Sequence, residues 1–161
     1  MDDVDVRVFG ADDTEAVVAL SLEAWAPVFA SLREALGPRL FELMHTDWRA
    51  DQRKAVEEVL ADDEVRTWVA VIDDRPVGFT SVKLDDDSRM GELYMIAVDP
   101  SAQNRGIGTM LTRWSEARMA EAGMTLAMID TGGDPGHAPA RRAYEKAGFT
   151  LLPIARYFKA L

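Results

Sequence analysis

The segment Val98-Asp99-Pro100-Ser101-Ala102-Gln103-Asn104-Arg105-Gly106-Ile107-Gly108-Thr109 reads as a strand end, a short loop and a helix start carrying two glycines. N–H groups in a first helical turn have no intrahelical acceptor and sit at the positive end of the helix dipole. Where glycine removes the Cβ, a phosphate can approach such a chain closely, so a pyrophosphate fits here. The same Gly-x-Gly spacing also serves a plain turn with tight helix packing. A Walker loop is excluded because no Gly-Lys-Ser/Thr follows. The dinucleotide fingerprint is excluded because Leu111 stands where its third glycine would be.

The 161 residues carry 28 acidic and 18 basic side chains, a formal charge of −10. That length suits one domain with a sizeable core, and 48% hydrophobic with 29% charged residues is the mixture of a folded protein. A pI near 4.6 argues against nucleic acid as a partner, since that affinity needs clustered Lys and Arg. A cationic small molecule suits such a surface better. With no cysteine there is no disulfide, zinc-thiolate site or Cys-based covalent mechanism, so a group transfer would run through another nucleophile or directly. His45 and His137 lack a third ligand at useful spacing, so no metal is expected. The apolar runs 16–22 and 24–32 are interrupted by Glu23 and Pro27 and fall short of the roughly 20 residues of a membrane span. The acidic N-terminus is unlike a secretory or transit segment, and a cytoplasmic location is expected.

These residues need elements to position them. Val4, Val6 and Val8 alternate as a strand, and Asp12-Asp13-Thr14 offer capping oxygens for a helix running roughly to Trp25. Pro27 and Gly37-Pro38 divide the next region into helical pieces, and a further helix covers about 51–60. Segments 65–72 and 77–84 form a hairpin around Asp73-Asp74-Arg75-Pro76. A third strand, 91–98, ends at Asp99-Pro100 because proline has no amide to donate. Ile107, Met110, Leu111, Trp114 and Ala117 recur at helical spacing up to Gly123. Strand 125–130, a Gly-rich loop, a helix over about 138–147 and a last strand 149–158 complete the order βααα-βββ-α-β-α-β. The expected fold is one α/β (α+β) domain over residues 1–161, a mixed, mostly antiparallel twisted sheet flanked by helices.

Gln103-x-x-Gly106-x-Gly108, following the strand Glu92-Leu93-Tyr94-Met95-Ile96-Ala97-Val98, resembles the acetyl-CoA-binding motif of the GNAT (Gcn5-related N-acetyltransferase) superfamily. Ala140-Arg141-Arg142-Ala143-Tyr144-Glu145-Lys146-Ala147-Gly148-Phe149 resembles that family's last helix and the turn after it. The likeness is specific over about 65–149 and one of element order over 1–64.

The resemblance implies direct transfer of an acetyl group from acetyl-CoA to the primary amine of a small molecule. It places the pyrophosphate on the amides of Gln103, Asn104, Arg105, Gly106, Ile107, Gly108 and Thr109, and the pantetheine arm on the backbone of Ile96 and Val98. His137 stands where the family often has an Asn contacting that arm. Tyr144 is the implied acid. A phenol near 10 against a thiol near 8.5 makes full proton transfer uphill by about 2 kcal/mol, so a hydrogen bond to the departing sulfur suffices. Glu92 is the implied base; alternation puts it on the face of Tyr94, Ile96 and Val98 unless a bulge intervenes. Tyr94 is a second candidate relay at the acceptor pocket, and Trp25, Phe29 and Trp48 lie in the third of the chain that lines that pocket in the family, although their spacing also suits a core. Two rival readings are an acyl-CoA-binding module without turnover and an acyltransferase for longer acyl groups or a protein or peptide amine. An edge strand or the C-terminal strand is open to homodimer formation.

Overall fold

The computed structural model describes residues 3–161. The period-two valines form β1 (Asp5–Val8), and three helices follow: α1 (Thr14–Leu36), α2 (Pro38–Met44) and α3 (Trp48–Ala61). Asp47 caps α3 by accepting from the Ala50 amide at 3.1 Å. The hairpin is β2 (Arg66–Ile72) and β3 (Arg75–Asp85), joined by Asp73 and Asp74 at φ 49° and 60°, the left-handed pair that matches strand twist. Then come β4 (Met90–Val98), α4 (Ile107–Glu121), β5 (Leu126–Met128) and α5 (Ala138–Lys146). The strands lie in chain order, β1 to β5, antiparallel except for the parallel pair β4–β5.

Each sheet face has its own cover. Val17, Val18 and Leu20 of α1 and Val56 of α3 pack on Val69, Val71, Phe79 and Ala97. On the other face Ile107 and Leu111 of α4 pack on Ala70 and Val77, while Met119 meets Trp68, Val82 and Leu93. Ser115 of α4 and Thr80 of β3 share a buried hydrogen bond at 2.8 Å, which satisfies both hydroxyls.

Three expectations change. Pro27 does not divide the helix: α1 continues through it to Leu36. Pro27 and Glu23 are both exposed, so the carbonyl freed at i−4 can bond to water while Val18 and Phe29 anchor the helix on either side. Ala11–Leu36 is thus one helical stretch of 26 residues, long and apolar enough by length and composition to cross a membrane, contrary to the reading of two interrupted runs, and its Val17, Val18 and Leu20 pack on the sheet. The strand over 125–130 shrinks to three residues, and the expected last strand, 149–158, is not formed. A ladder on β5 has only Leu126–Met128 to build on, and Pro153 has no amide to give.

The start of α1 is fixed by Arg7, which forks onto Asp13 at 2.7 and 2.9 Å, while the Gly10 amide donates to the same carboxylate at 2.9 Å. The Arg7 hydrogen bond outweighs burial and holds the Asp13 carboxyl below its ordinary 3.8. Stability from such a group is present above the unfolded value and is lost as pH falls through the folded one. Asp13→Asn should lose about 1–2 kcal/mol at neutral pH in urea unfolding, a figure kept low because Arg7 is partly exposed. Its difference from wild type should close below pH 3.8.

Candidate active site at the β4–β5 split

The parallel pair β4–β5 joins only Met90 to Leu126, Gly91 to Ala127 and Glu92 to Met128. β4 continues to Val98, paired with β3 alone. From Leu93 to Val98 its backbone groups on the β5 side therefore face no strand, and the sheet is split there. Ile96 and Val98 lie along this open edge.

A bulge sets the facing of β4. Ser81 opposes Met95 but Val82 opposes Leu93, so Tyr94 is the extra residue. Before it, Gly91 and Leu93 face α4; a Cβ on Gly91 would come within 2.5 Å of Met119 Cγ. After it, Ile96 and Val98 face α4, whereas Met95 and Ala97 pack towards α1. Glu92 thus shares the α1 side with Met95 and Ala97, opposite Ile96 and Val98, which corrects the simple alternation. Tyr94 is exposed, and Lys83, the register partner of Glu92 on β3, holds its Nζ 3.5 Å from the Tyr94 ring centroid.

Beyond Val98 the chain turns into α4. Asp99 accepts from the Ser101 amide at 2.8 Å, and Gln103 Nε2 donates to the Val98 carbonyl at 3.2 Å. Asn104 at φ 62° and Gly106 at φ 79° are left-handed, and Gly106 caps the helix. A Cβ on Gly106 would touch nothing, so it is the backbone angle that favours glycine. Gln103, Asn104, Arg105, Gly106 and Thr109 are exposed, and the side chain of Ile107 is buried in the core. The amides of Ile107, Gly108 and Thr109 belong to the first turn, and Gly108 lies against Val98, its Cβ position 3.9 Å from Val98 Cγ2. The split strand edge and the helix N-terminus are therefore contiguous.

The loop before α5 is fastened to α1. Ser31 Oγ donates to Asp134 Oδ2 at 2.7 Å and accepts from the Gly136 amide at 2.8 Å. His137 Nδ1 bonds Asp134 Oδ1, and Arg141 donates to the Asp134 carbonyl at 2.8 Å. Burial would raise the Asp134 carboxyl, yet hydrogen bonds from Ser31 and His137 hold it below its ordinary value. His137 thus spends one ring nitrogen on Asp134. Sequence reading missed Ser31, Asp134 and Arg141. An Asp two residues before Gly136, followed by Pro135 at the start of a short 3-10 turn over Pro135–His137 that leads into α5, is the available signal for Asp134.

Seven residues after His137, which caps the N-terminus of α5, Tyr144 lies near that helix's C-terminal end. It is half-buried, edge-on to Phe149 at 6.3 Å, in a cleft of about 600 Å³ that Met128, Ile129, Arg141 and Leu152 also line. Burial pushes its phenol above 10.0. Of the N-terminal aromatics, Phe29 is buried and stacked on Trp48 at 4.5 Å, and Trp25 packs against the core cluster under α1.

The five-stranded, mostly antiparallel sheet flanked by helices is shared with solved acetyltransferase structures. The Acetyltransferase (GNAT) family model matches residues 29–149, and the chain belongs to that family. A mycothiol acetyltransferase of Thermomonospora curvata is 33% identical over 107 residues, covering 66% of this chain and 35% of its own. One from Sanguibacter keddieii is 39% identical over 83 residues, covering 48% and 26%. The chain spans about a third of the length of the curated relatives it matches. Among solved structures, an aminoglycoside N-acetyltransferase in complex with CoA is similar in fold, with TM-score 0.69, 18% identity and coverage of 99% and 96%. The PaiA N-acetyltransferase of Thermoplasma acidophilum, in complex with coenzyme A, has TM-score 0.71 at 16% identity, covering 95% and 93%.

A Cβ on Gly136 would stand 2.5 Å from Ser31 Cβ, whereas one on Gly133 would meet nothing. Gly136→Ala should cost about 1–3 kcal/mol in denaturant unfolding, and Gly133→Ala should leave stability within error.

Proposed function

We propose that residues 1–161 form one N-acetyltransferase domain that moves the acetyl group of acetyl-CoA directly to the primary amine of a small molecule. The observation that carries this reading is the split between β4 and β5, continuous with the glycine-capped start of α4. An extended amide-bearing arm can pair with the strandless backbone edge at Ile96 and Val98 as an added strand would, sharing the Val98 carbonyl with Gln103 Nε2. A pyrophosphate can take the amides over 103–109 at the same end. Acetyl-CoA, when bound, supplies the thioester that the amine attacks directly, so no acyl-enzyme forms and the absence of cysteine is no obstacle. His137 keeps one ring nitrogen for the cofactor arm while Asp134 orients the other.

Tyr144 donates a hydrogen bond to the leaving sulfur. Because burial raises its phenol, it stays protonated through neutral pH and does not surrender the proton fully to a thiolate. Glu92, on the α1 side of β4 where the split begins, takes the proton of the amine. Removing that proton from an amine of pKa near 10.4 at pH 7 costs about 4.6 kcal/mol, so a positioned acceptor matters. Trp25, Phe29 and Trp48 back the acceptor wall. The charge of −10 favours a cationic acceptor, and relatives named as mycothiol and aminoglycoside acetyltransferases support small molecules as the class. A cytoplasmic setting goes with this reading. Exposed Leu151, Leu152, Ile154 and Tyr157 beside short β5 support a homodimer joined through the C-terminal segment; light scattering should then give twice the chain mass, and a monomer would refute it.

Thiol release from acetyl-CoA across a panel of amines, polyamines, amino acids, aminoglycosides and peptides, beside calorimetric CoA binding, tests the whole. Tyr144→Phe should bind CoA normally while kcat falls about 100-fold, and unchanged turnover would remove Tyr144 from the mechanism. Gly106→Val should weaken CoA binding itself, and intact affinity would overturn the phosphate site.

A further inference from the structure

Lys83 faces the α1 side of β3, because Thr80 and Val82 face α4. Its ammonium lies on the Tyr94 ring, 3.5 Å from the centroid. The other cation–ring contacts among the described residues are arginines on phenylalanine or tryptophan, at 4.6 to 5.6 Å. Tyr94 is the bulged residue, 41% exposed, and Glu92 is the strand partner of Lys83. This trio stands where β4–β5 pairing ends, at Glu92 and Met128. A phosphate end held at 103–109 and an arm running back along Val98 and Ile96 put the reactive end of acetyl-CoA near that point, so the inference rests on the acetyl-CoA reading of the split.

An alkylammonium on an aromatic face beside a carboxylate is the chemistry by which a protein holds a primary ammonium ion. We propose that the Tyr94 ring face and the Glu92 carboxylate form the receptor for the acceptor's ammonium group, and that Lys83 is an internal stand-in which the incoming amine displaces. The acceptor enters protonated and gives one proton to Glu92; the neutral amine then forms the C–N bond to the acetyl carbon as the C–S bond breaks, and its second proton goes to the departing thiolate, so protons and charge balance. Lys83 makes entry selective. A neutral group gains nothing from the ring face that the lysine already occupies, whereas a charged alkylammonium exchanges with its own kind.

NMR titration of the full chain with n-butylammonium and with butyrate tests this, with and without CoA. Lys83→Met keeps the apolar stem and removes the charge. It should bind n-butylammonium about two- to fivefold more tightly than wild type, the range expected for one vacated ring contact, and Lys83→Gln should do the same. Lys83→Met with Tyr94→Leu should lose the gain. Equal or weaker ammonium binding by both single variants would overturn the proposal, as would butyrate binding that depends on Lys83. Calorimetric CoA binding on the same samples separates the failures. Absent CoA binding refutes the acetyl-CoA site, and intact CoA binding without the ammonium gain refutes only the stand-in.

Discussion

A strand inside a sheet needs partners on both sides for its backbone donors and acceptors, and β4 beyond Glu92 has them on one side only. That one-sided stretch governs the rest of the architecture. Because β5 is short, pairing stops at Glu92 and leaves an edge that an extended, amide-bearing segment can complete. The end of the edge is pinned, since the Asp99 amide donates to the Val77 carbonyl at 2.8 Å before Pro100 turns the chain away. α4 must then cross back over the sheet. It does so closely at Gly78, where a Cβ would come within 3.0 Å of the Ala97 carbonyl oxygen and 3.1 Å of Leu111 Cδ1. Edge and helix N-terminus are held in register by core packing rather than by a flexible loop.

The bulge at Tyr94 solves a second problem on the same strand. β4 has to present Leu93 to α4 in one half and Ala97 to α1 in the other, which strict alternation forbids for two odd-numbered positions. One extra residue changes the phase. It also places Tyr94 outside the ladder and beside Glu92, so polar groups and an exposed ring collect where the split begins. The buried halves of the strand on either side make that placement rigid.

Much of this was legible in the residues. Period-two valines, the Asp-rich hairpin turn and Asp99-Pro100 mark strands and their ends by local chemistry, and Gln103-x-x-Gly106-x-Gly108 marks the helix start by the left-handed angle that Gly106 adopts. The bulge was not readable, because Tyr94 suits a regular strand as well as a bulge. Ser31 and Asp134 are 103 residues apart, and their hydrogen bond follows from tertiary placement alone. Pro27 looked like a break because its cost is local, whereas the packing that offsets it, Val18 and Phe29 against other elements, is not. Segment 149–158 has the composition of a strand, but a strand needs a neighbour and β5 offers three residues.

Charge acts here on two scales. A net −10 draws cations towards the molecule, but at physiological ionic strength that field decays over about 8 Å and distinguishes one cation poorly from another. Selection among amines therefore has to occur at contact range, where geometry counts. Glu92 alone would accept any cation, metal ions included. In the proposed receptor the Tyr94 ring face favours a weakly hydrated ammonium, and Lys83 on that face requires the entrant to match it. On the proposed reading the acidic surface raises the encounter rate with a cationic amine, and the bulge on β4 decides which encounters are productive.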